Sequence, residues 1–163
     1  CYYSSLLLFV LKLLLPKQIT NKYPGQKIAL YVFVPLTLML TFRSCMHLIA
    51  PDGGAQSIAT IPLDAYSAGA AANIIAIFSQ WGLSQLLLTL LFILVLVRYR
   101  SLIPLFYLIF TVEMFGRMAV GHFKPVVTLE TAPGSAGNMP LLIAALIMLA
   151  LSLTPSKSGD ADD

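Results

Sequence analysis

Long apolar runs alternate with short polar breaks along this chain. Residues 28–50, 73–97, 101–122 and 139–154 are almost continuously hydrophobic, and proline, glycine or clustered charge bounds each of them. A helix rises ~1.5 Å per residue, so ~20 residues cross the ~30 Å hydrocarbon layer of a bilayer. The pattern predicts four transmembrane helices. A fifth run, 2–15, is shorter than a span requires and has Lys12 as its sole charge. It reads either as the last part of a truncated span or as an interfacial helix whose Lys12 snorkels to water.

The breaks carry turn and cap signals. Pro51 and Asp52-Gly53-Gly54 close the span at 28–50, and Asp64 is a candidate N-cap for the next helix. The small residues at 67–72 would let helices approach closely in lipid. Arg98-Tyr99-Arg100 is so short a junction that the helices on either side should be antiparallel neighbours. Asn138 is a candidate cap for the last helix, with Pro140 in its first turn. That helix, 139–154, would be only ~24 Å long and would barely span. The bundle is expected over 1–155, followed by a polar, acidic tail at 156–163.

Composition supports the pattern. The chain has 163 residues, 58% hydrophobic and 10% charged, with mean hydropathy +0.86. Soluble domains carry about 25% charged residues, so a water-soluble core is a poor explanation. The net charge of +3 does not point to nucleic acid. The basic residues flank apolar runs and form no stripe interleaved with aromatics. Cys1 and Cys45 form no CxxC pair, which excludes the common redox and zinc spacings. A first residue of Cys1 rather than Met reads as a chain whose upstream residues are missing.

Charge placement predicts orientation. If every apolar segment crosses, Lys17, Lys22, Lys27, Arg98, Arg100 and Lys157 share one side and Lys124 lies on the other. The positive-inside rule then makes loops 16–27 and 98–101 and the C-terminus cytoplasmic, in a bacterial cytoplasmic membrane.

The spans also contain polar groups. Glu113 and Arg117 stand four residues apart within 101–122, on one helix face and in the favourable order. By helical rise from each span's midpoint, Glu113 lies ~3 Å outward, Arg43 ~6 Å, Gln80 ~7 Å, Arg117 ~9 Å and His47 ~12 Å, with Ser84 close to the centre. Asn73, Gln80 and Ser84 follow a helical spacing. The candidate cluster is therefore Arg43, His47, Gln80, Ser84, Glu113 and Arg117, all in the outer-leaflet half.

One reading makes this cluster interhelical glue, each contact contributing ~0.6 to 2 kcal/mol. The other begins from two arginines facing one glutamate. The surplus cation would be met by water, by Asp52 or Asp64 folding inward, or by an anionic or amphiphilic ligand such as a lipid or a quinone-like molecule. No cofactor is predicted. A bis-histidine haem on His47 and His122 is a geometric alternative, and no HxxxH, HxxE or carboxylate cluster offers a metal site. Trp81, the only tryptophan, reads as a packing or interface residue before a pocket wall.

Residues 98–153 combine an aromatic-rich helix containing Phe115-Gly116-Arg117, then Gly121, a loop with prolines and a short aliphatic helix. In this the chain resembles small four-span bacterial membrane proteins of an uncharacterised family. The resemblance implies a fold and lends no reaction and no catalytic residue. The expected protein is an all-α integral membrane helical bundle with four transmembrane helices and a fifth, short or truncated, at the N-terminus. Its expected role is that of a non-enzymatic subunit that packs with other membrane proteins or with copies of itself and holds a lipid or similar amphiphile. The alternatives are a haem- or quinone-linked redox subunit and a small transporter that uses Glu113.

Overall fold

A computed structural model describes residues 2–156, with side chains from Leu7 onward. Lys157 and most of the acidic tail, like Cys1, lie outside the described residues. The fold is all-helical, with no strand among the described residues. The helices are α1 (Tyr2–Leu14), α2 (Lys27–Ile49), α3 (Ala68–Arg98), α4 (Ile103–Phe123) and α5 (Pro133–Ser152). Short 3-10 turns at Leu63–Ala65 and Arg100–Leu102 lead into α3 and α4. The four helices after α1 are long and apolar enough to cross a membrane. With 31 residues, α3 is ~46 Å long and exceeds the hydrocarbon layer.

Two helix starts differ from the sequence expectation. Ser67, not Asp64, caps α3; its hydroxyl accepts from the Ala70 N–H at 3.4 Å. Tyr66 is extended between the 3-10 turn and the helix, so the cap falls to the next residue able to accept. The last helix begins at Pro133, six residues before the expected start at Met139. Proline's fixed φ suits the first helical position, and Ser135 and Ala136 donate to the Ala132 carbonyl there. Asn138 and Pro140 consequently lie inside α5, whose 20 residues reach ~30 Å and span without needing a thin bilayer.

The polar loops gather at two ends. At the basic end, the Thr20 N–H donates to the Ser101 hydroxyl at 3.0 Å and the Ser101 N–H to the Thr20 carbonyl at 3.2 Å. There too the Gln26 amide donates to the Pro155 carbonyl at 2.7 Å. These bonds tie segment 15–26 to the α3–α4 junction and to the end of α5. α1 packs beside the same junction, against α4. At the far end, Thr60 clasps the loop after α4. Its carbonyl accepts from the Leu129 N–H at 2.9 Å and its hydroxyl donates to the Glu130 carbonyl at 2.8 Å. Thr60 has φ 58°, a conformation that costs a β-branched residue ~1–3 kcal/mol and persists only when surrounding bonds impose it.

Between the ends lies a sealed aromatic core. Phe33 of α2 stacks on Phe92 of α3 at 5.4 Å between centroids, and Tyr107 of α4 meets Phe33 edge-on at 5.3 Å. Phe106 meets Phe92 edge-on at 4.9 Å. Ile103, Phe110 and Met114 of α4 close the core, and the Tyr107 hydroxyl donates to the Ala29 carbonyl at 2.7 Å. Thr37, Ser44, Thr89 and Thr111 are also buried there, and each hydroxyl bonds a carbonyl of its own helix. None is left unsatisfied in lipid. The helix most extensively packed on α3 is α2; α3 and α4 meet mainly near their junction, through side chains such as Phe92 and Phe106. The short junction fixes their adjacency at one end only.

Gly82 sets the spacing of α2 and α3. A Cβ placed there would lie 2.8 Å from the His47 backbone, whereas one at Gly116 of α4 would meet nothing within 4 Å. Replacing glycine by alanine inside a helix normally gains ~1 kcal/mol. Gly82→Ala is expected to lose more than that gain by separating the two helices, and Gly116→Ala to leave stability equal or higher. Thermal unfolding of the two variants in detergent checks the contrast.

Candidate functional site

Beyond the sealed core, toward the far end, three helices each contribute to one ion cluster. Arg43 projects from α2, Glu113 and Arg117 from α4, and Gln85 and Trp81 from α3. Arg117 donates to Glu113 one helical turn away. Arg43 reaches the same carboxylate oxygen, Oε1, at 3.6 Å, and its Nη2 donates to the Gln85 side-chain carbonyl at 2.9 Å. Trp81 lies against both cations, its ring centroid 5.6 Å from the Arg43 guanidinium carbon and 5.4 Å from that of Arg117. Both distances fall within the ~6 Å range of cation–π attraction. Each of the three charged side chains keeps 21–23% of its surface exposed, so the cluster is open on one side.

The ring system continues outward. His47 packs on Trp81 at 4.7 Å and on Phe78 at 5.9 Å, and Phe78 meets Trp81 edge-on. His47 is buried, and its Nδ1 lies 2.9 Å from the Gly53 carbonyl. A carbonyl only accepts, so that nitrogen carries a proton. Gly54, at φ 72°, brings the loop so close that a Cβ there would lie 3.0 Å from Nδ1. His47 thus pins the loop to the end of α2. His122 is exposed at the end of α4 and packs on its neighbour Phe123. No contact joins the two histidines among the described residues.

The structure brings Arg43, Glu113 and Arg117 together, with His47 behind Trp81, but does not bring Gln80 or Ser84 to them. Both are exposed, and the Ser84 hydroxyl donates to the Gln80 carbonyl at 3.1 Å. Successive helical residues differ by ~100° around the axis, and Gln80 is turned away from the face that Trp81 and Gln85 share. The polar spacing 73, 80, 84 traces the outside of α3. The packed face follows Phe78, Trp81, Gly82, Gln85, Thr89 and Phe92, an apolar helical period interrupted by an amide and a hydroxyl. That period was the signal for Gln85, which sequence reasoning missed.

The acids expected to balance the second arginine, Asp52 and Asp64, are engaged in the far-end loop. Both Asp52 oxygens accept bonds: Oδ1 from the Gly54 N–H at 2.8 Å and the Ser57 hydroxyl at 3.1 Å, Oδ2 from the N–H groups of Gln56 and Ser57 at 3.0 and 2.6 Å. Partial burial alone would raise this carboxyl's pKa, but the bonds from Ser57, Gly54 and Gln56 outweigh it and hold the group below the usual carboxylate range. Asp64 accepts from the Gln56 amide at 2.6 Å, and Glu130 is exposed. Among the described residues, Glu113 is therefore the only carboxylate in the cluster. The Nε atoms of Arg43 and Arg117 are shielded from solvent and have no hydrogen-bond partner there. No group of three or more His, Cys, Asp or Glu side chains suited to a metal converges among the described residues.

Comparison of the chain with family models, with curated proteins and with solved structures found no match in any of the three. The class of protein therefore rests on its own geometry: a helical bundle with four helices able to cross a membrane, bearing one ion cluster between α2, α3 and α4.

The charge count makes the three ionic residues unequal. Glu113→Gln leaves two guanidinium groups facing each other without a counter-charge, the situation that costs several kcal/mol when fully buried. At this partial exposure the expected loss is about 2 kcal/mol. Arg117→Gln leaves Arg43 and Glu113 paired one to one, and its expected loss is about 1 kcal/mol, mostly its contact with Trp81. Unfolding followed by the fluorescence of Trp81 ranks the two variants.

Asp52 makes the far-end loop sensitive to acid. Its folded pKa lies below the unfolded value of about 3.9. The stabilisation it supplies is complete above that value and disappears as pH falls through the folded one. Amide exchange at Gly54, Gln56 and Ser57 is expected to lose protection in that window, and Asp52→Asn to lose it at neutral pH as well, since an amide offers one accepting oxygen where the carboxylate offers two.

Proposed function

We propose that this chain is a non-enzymatic subunit of a bacterial cytoplasmic membrane, which holds an amphiphile by its polar head at the Arg43–Glu113–Arg117 cluster. The basic end, with Lys17, Lys22, Lys27, Arg98 and Arg100, faces the cytoplasm, because translocation disfavours short loops rich in Lys and Arg. The far end, with Lys124 alone among basic loop residues, faces outward.

The observation that carries this reading is the position of a part-exposed, net-positive cluster directly above a closed aromatic core. Charges at such depth are costly unless something polar answers them. The Phe33–Phe92–Tyr107 packing gives a solute at Glu113 no polar route toward the basic end, which favours binding over passage. The outer turns of α5, with Gly134 meeting no neighbouring atom within 4 Å, have room for the helices of another subunit or of a second copy.

Purification from membranes in a mild neutral detergent, followed by native mass spectrometry, tests this function. The expected spectrum contains the chain with a bound amphiphile and within a larger assembly. A stable monomer without adducts would count against the reading, and a visible Soret band would favour a haem subunit instead.

A further inference from the structure

The cluster has two cations and one anion, and the structure narrows what can balance the difference. Both oxygens of Asp52 and the Oδ2 of Asp64 are engaged by the loop that contains them. Gln85 contributes a neutral oxygen to Arg43. Among the described residues, Arg117 has Glu113 as its sole hydrogen-bond partner, although a guanidinium offers five N–H donors. Both guanidinium groups converge on a single carboxylate oxygen, which brings the two cations together. A planar carboxylate matches the fork of one arginine. A phosphate has oxygens enough to accept from two guanidinium groups at once.

Arg43 and Arg117 originate ~6 and ~9 Å outward of the bilayer midplane by helical rise, and both reach the carboxylate of Glu113, which originates ~3 Å outward. A phosphate bound there is drawn below the membrane surface, where the cation it neutralises is costly alone. Beside the pair, α4 presents an apolar lane. Val112 and Phe115 are exposed, and Gly116 leaves space that no neighbouring atom fills within 4 Å.

We infer that Arg43 and Arg117 together bind a phosphate oxyanion, that of an anionic lipid headgroup or of free phosphate, with Trp81 as the wall behind it. This inference rests on the amphiphile-binding function above and specifies the chemical class of the head. Bound phosphate would neutralise the surplus cation, so the site is selective for charge before shape.

Trp81 makes the test direct, because it is the chain's only tryptophan and lies against both arginines. The full chain in neutral detergent is titrated with dihexanoyl-phosphatidylglycerol, with inorganic phosphate and with a short-chain monoacylglycerol, and Trp81 fluorescence is recorded. The expected result is a saturable change with phosphatidylglycerol at a concentration at least tenfold lower than with the uncharged monoacylglycerol. Arg117→Gln is expected to raise the half-saturation point at least tenfold and Arg117→Lys to restore part of it. A matching response to inorganic phosphate would identify the free anion as sufficient; a response to the lipid alone would identify the headgroup. Equal responses to charged and uncharged amphiphiles, unaffected by Arg117→Gln, would overturn the phosphate assignment and leave amphiphile binding standing. Silence toward all three probes would remove both. Should Arg117→Gln prove unstable, Arg43→Lys and Arg117→Lys preserve the charge, and their weaker phosphatidylglycerol response carries the same test.

Discussion

A carboxylate shared between two arginines is the interaction on which the far-end half of this bundle depends. Water is scarce within the hydrocarbon layer, so an ion there must find its partner in the protein or at the interface. Glu113 supplies that partner twice, once within α4 to Arg117 and once across to Arg43 of α2. The second bond matters most for the fold. α2 and α4 otherwise meet chiefly through the aromatic core nearer the basic end, and the ion pair extends their association outward. Trp81 closes the third side from α3, its ring attracting both cations at once.

Loop structure follows from the same constraint. The far-end loop keeps its carboxylates to itself, because Asp52 satisfies backbone N–H groups that would otherwise remain unpaired near the membrane surface. His47 performs the complementary task from the helix side by donating to the Gly53 carbonyl. Two groups that composition alone would nominate for chemistry are thus spent on holding a turn, which needs left-handed glycines at 53 and 54 to fold back over α2. The charge left over lies one turn deeper, at the arginines.

Much of the fold was legible because bilayer thickness imposes a length on every spanning helix. α2 and α4 start and end within two residues of the apolar runs that announced them. The start of α5 was not legible, since glycine, serine and asparagine at 134–138 read as loop in water; Pro133 at the first helical position nonetheless starts the helix there. The start of α3 was displaced because two acceptors, Asp64 and Ser67, compete for one cap, and only backbone geometry decides between them. Within the site, Arg43, Glu113 and Arg117 were readable as charges at one depth. Gln80 and Ser84 are polar without facing inward. In a membrane the outward face near the interface also tolerates polar atoms, and the inner face of α3 is defined by Gly82, Thr89 and Phe92.

Gln85 shows why an amide suits the remaining position. A second carboxylate there would balance the arginines and make the cluster neutral, closing it to any anion. An apolar residue would leave Arg43 with only its share of Glu113. The neutral oxygen at 2.9 Å orients the Arg43 guanidinium without cancelling its charge. Preserving one unit of positive charge at fixed geometry is costly for a bundle that needs only to fold. On the proposed reading it suits a site that binds an anion, because the orientation is established before the ligand arrives.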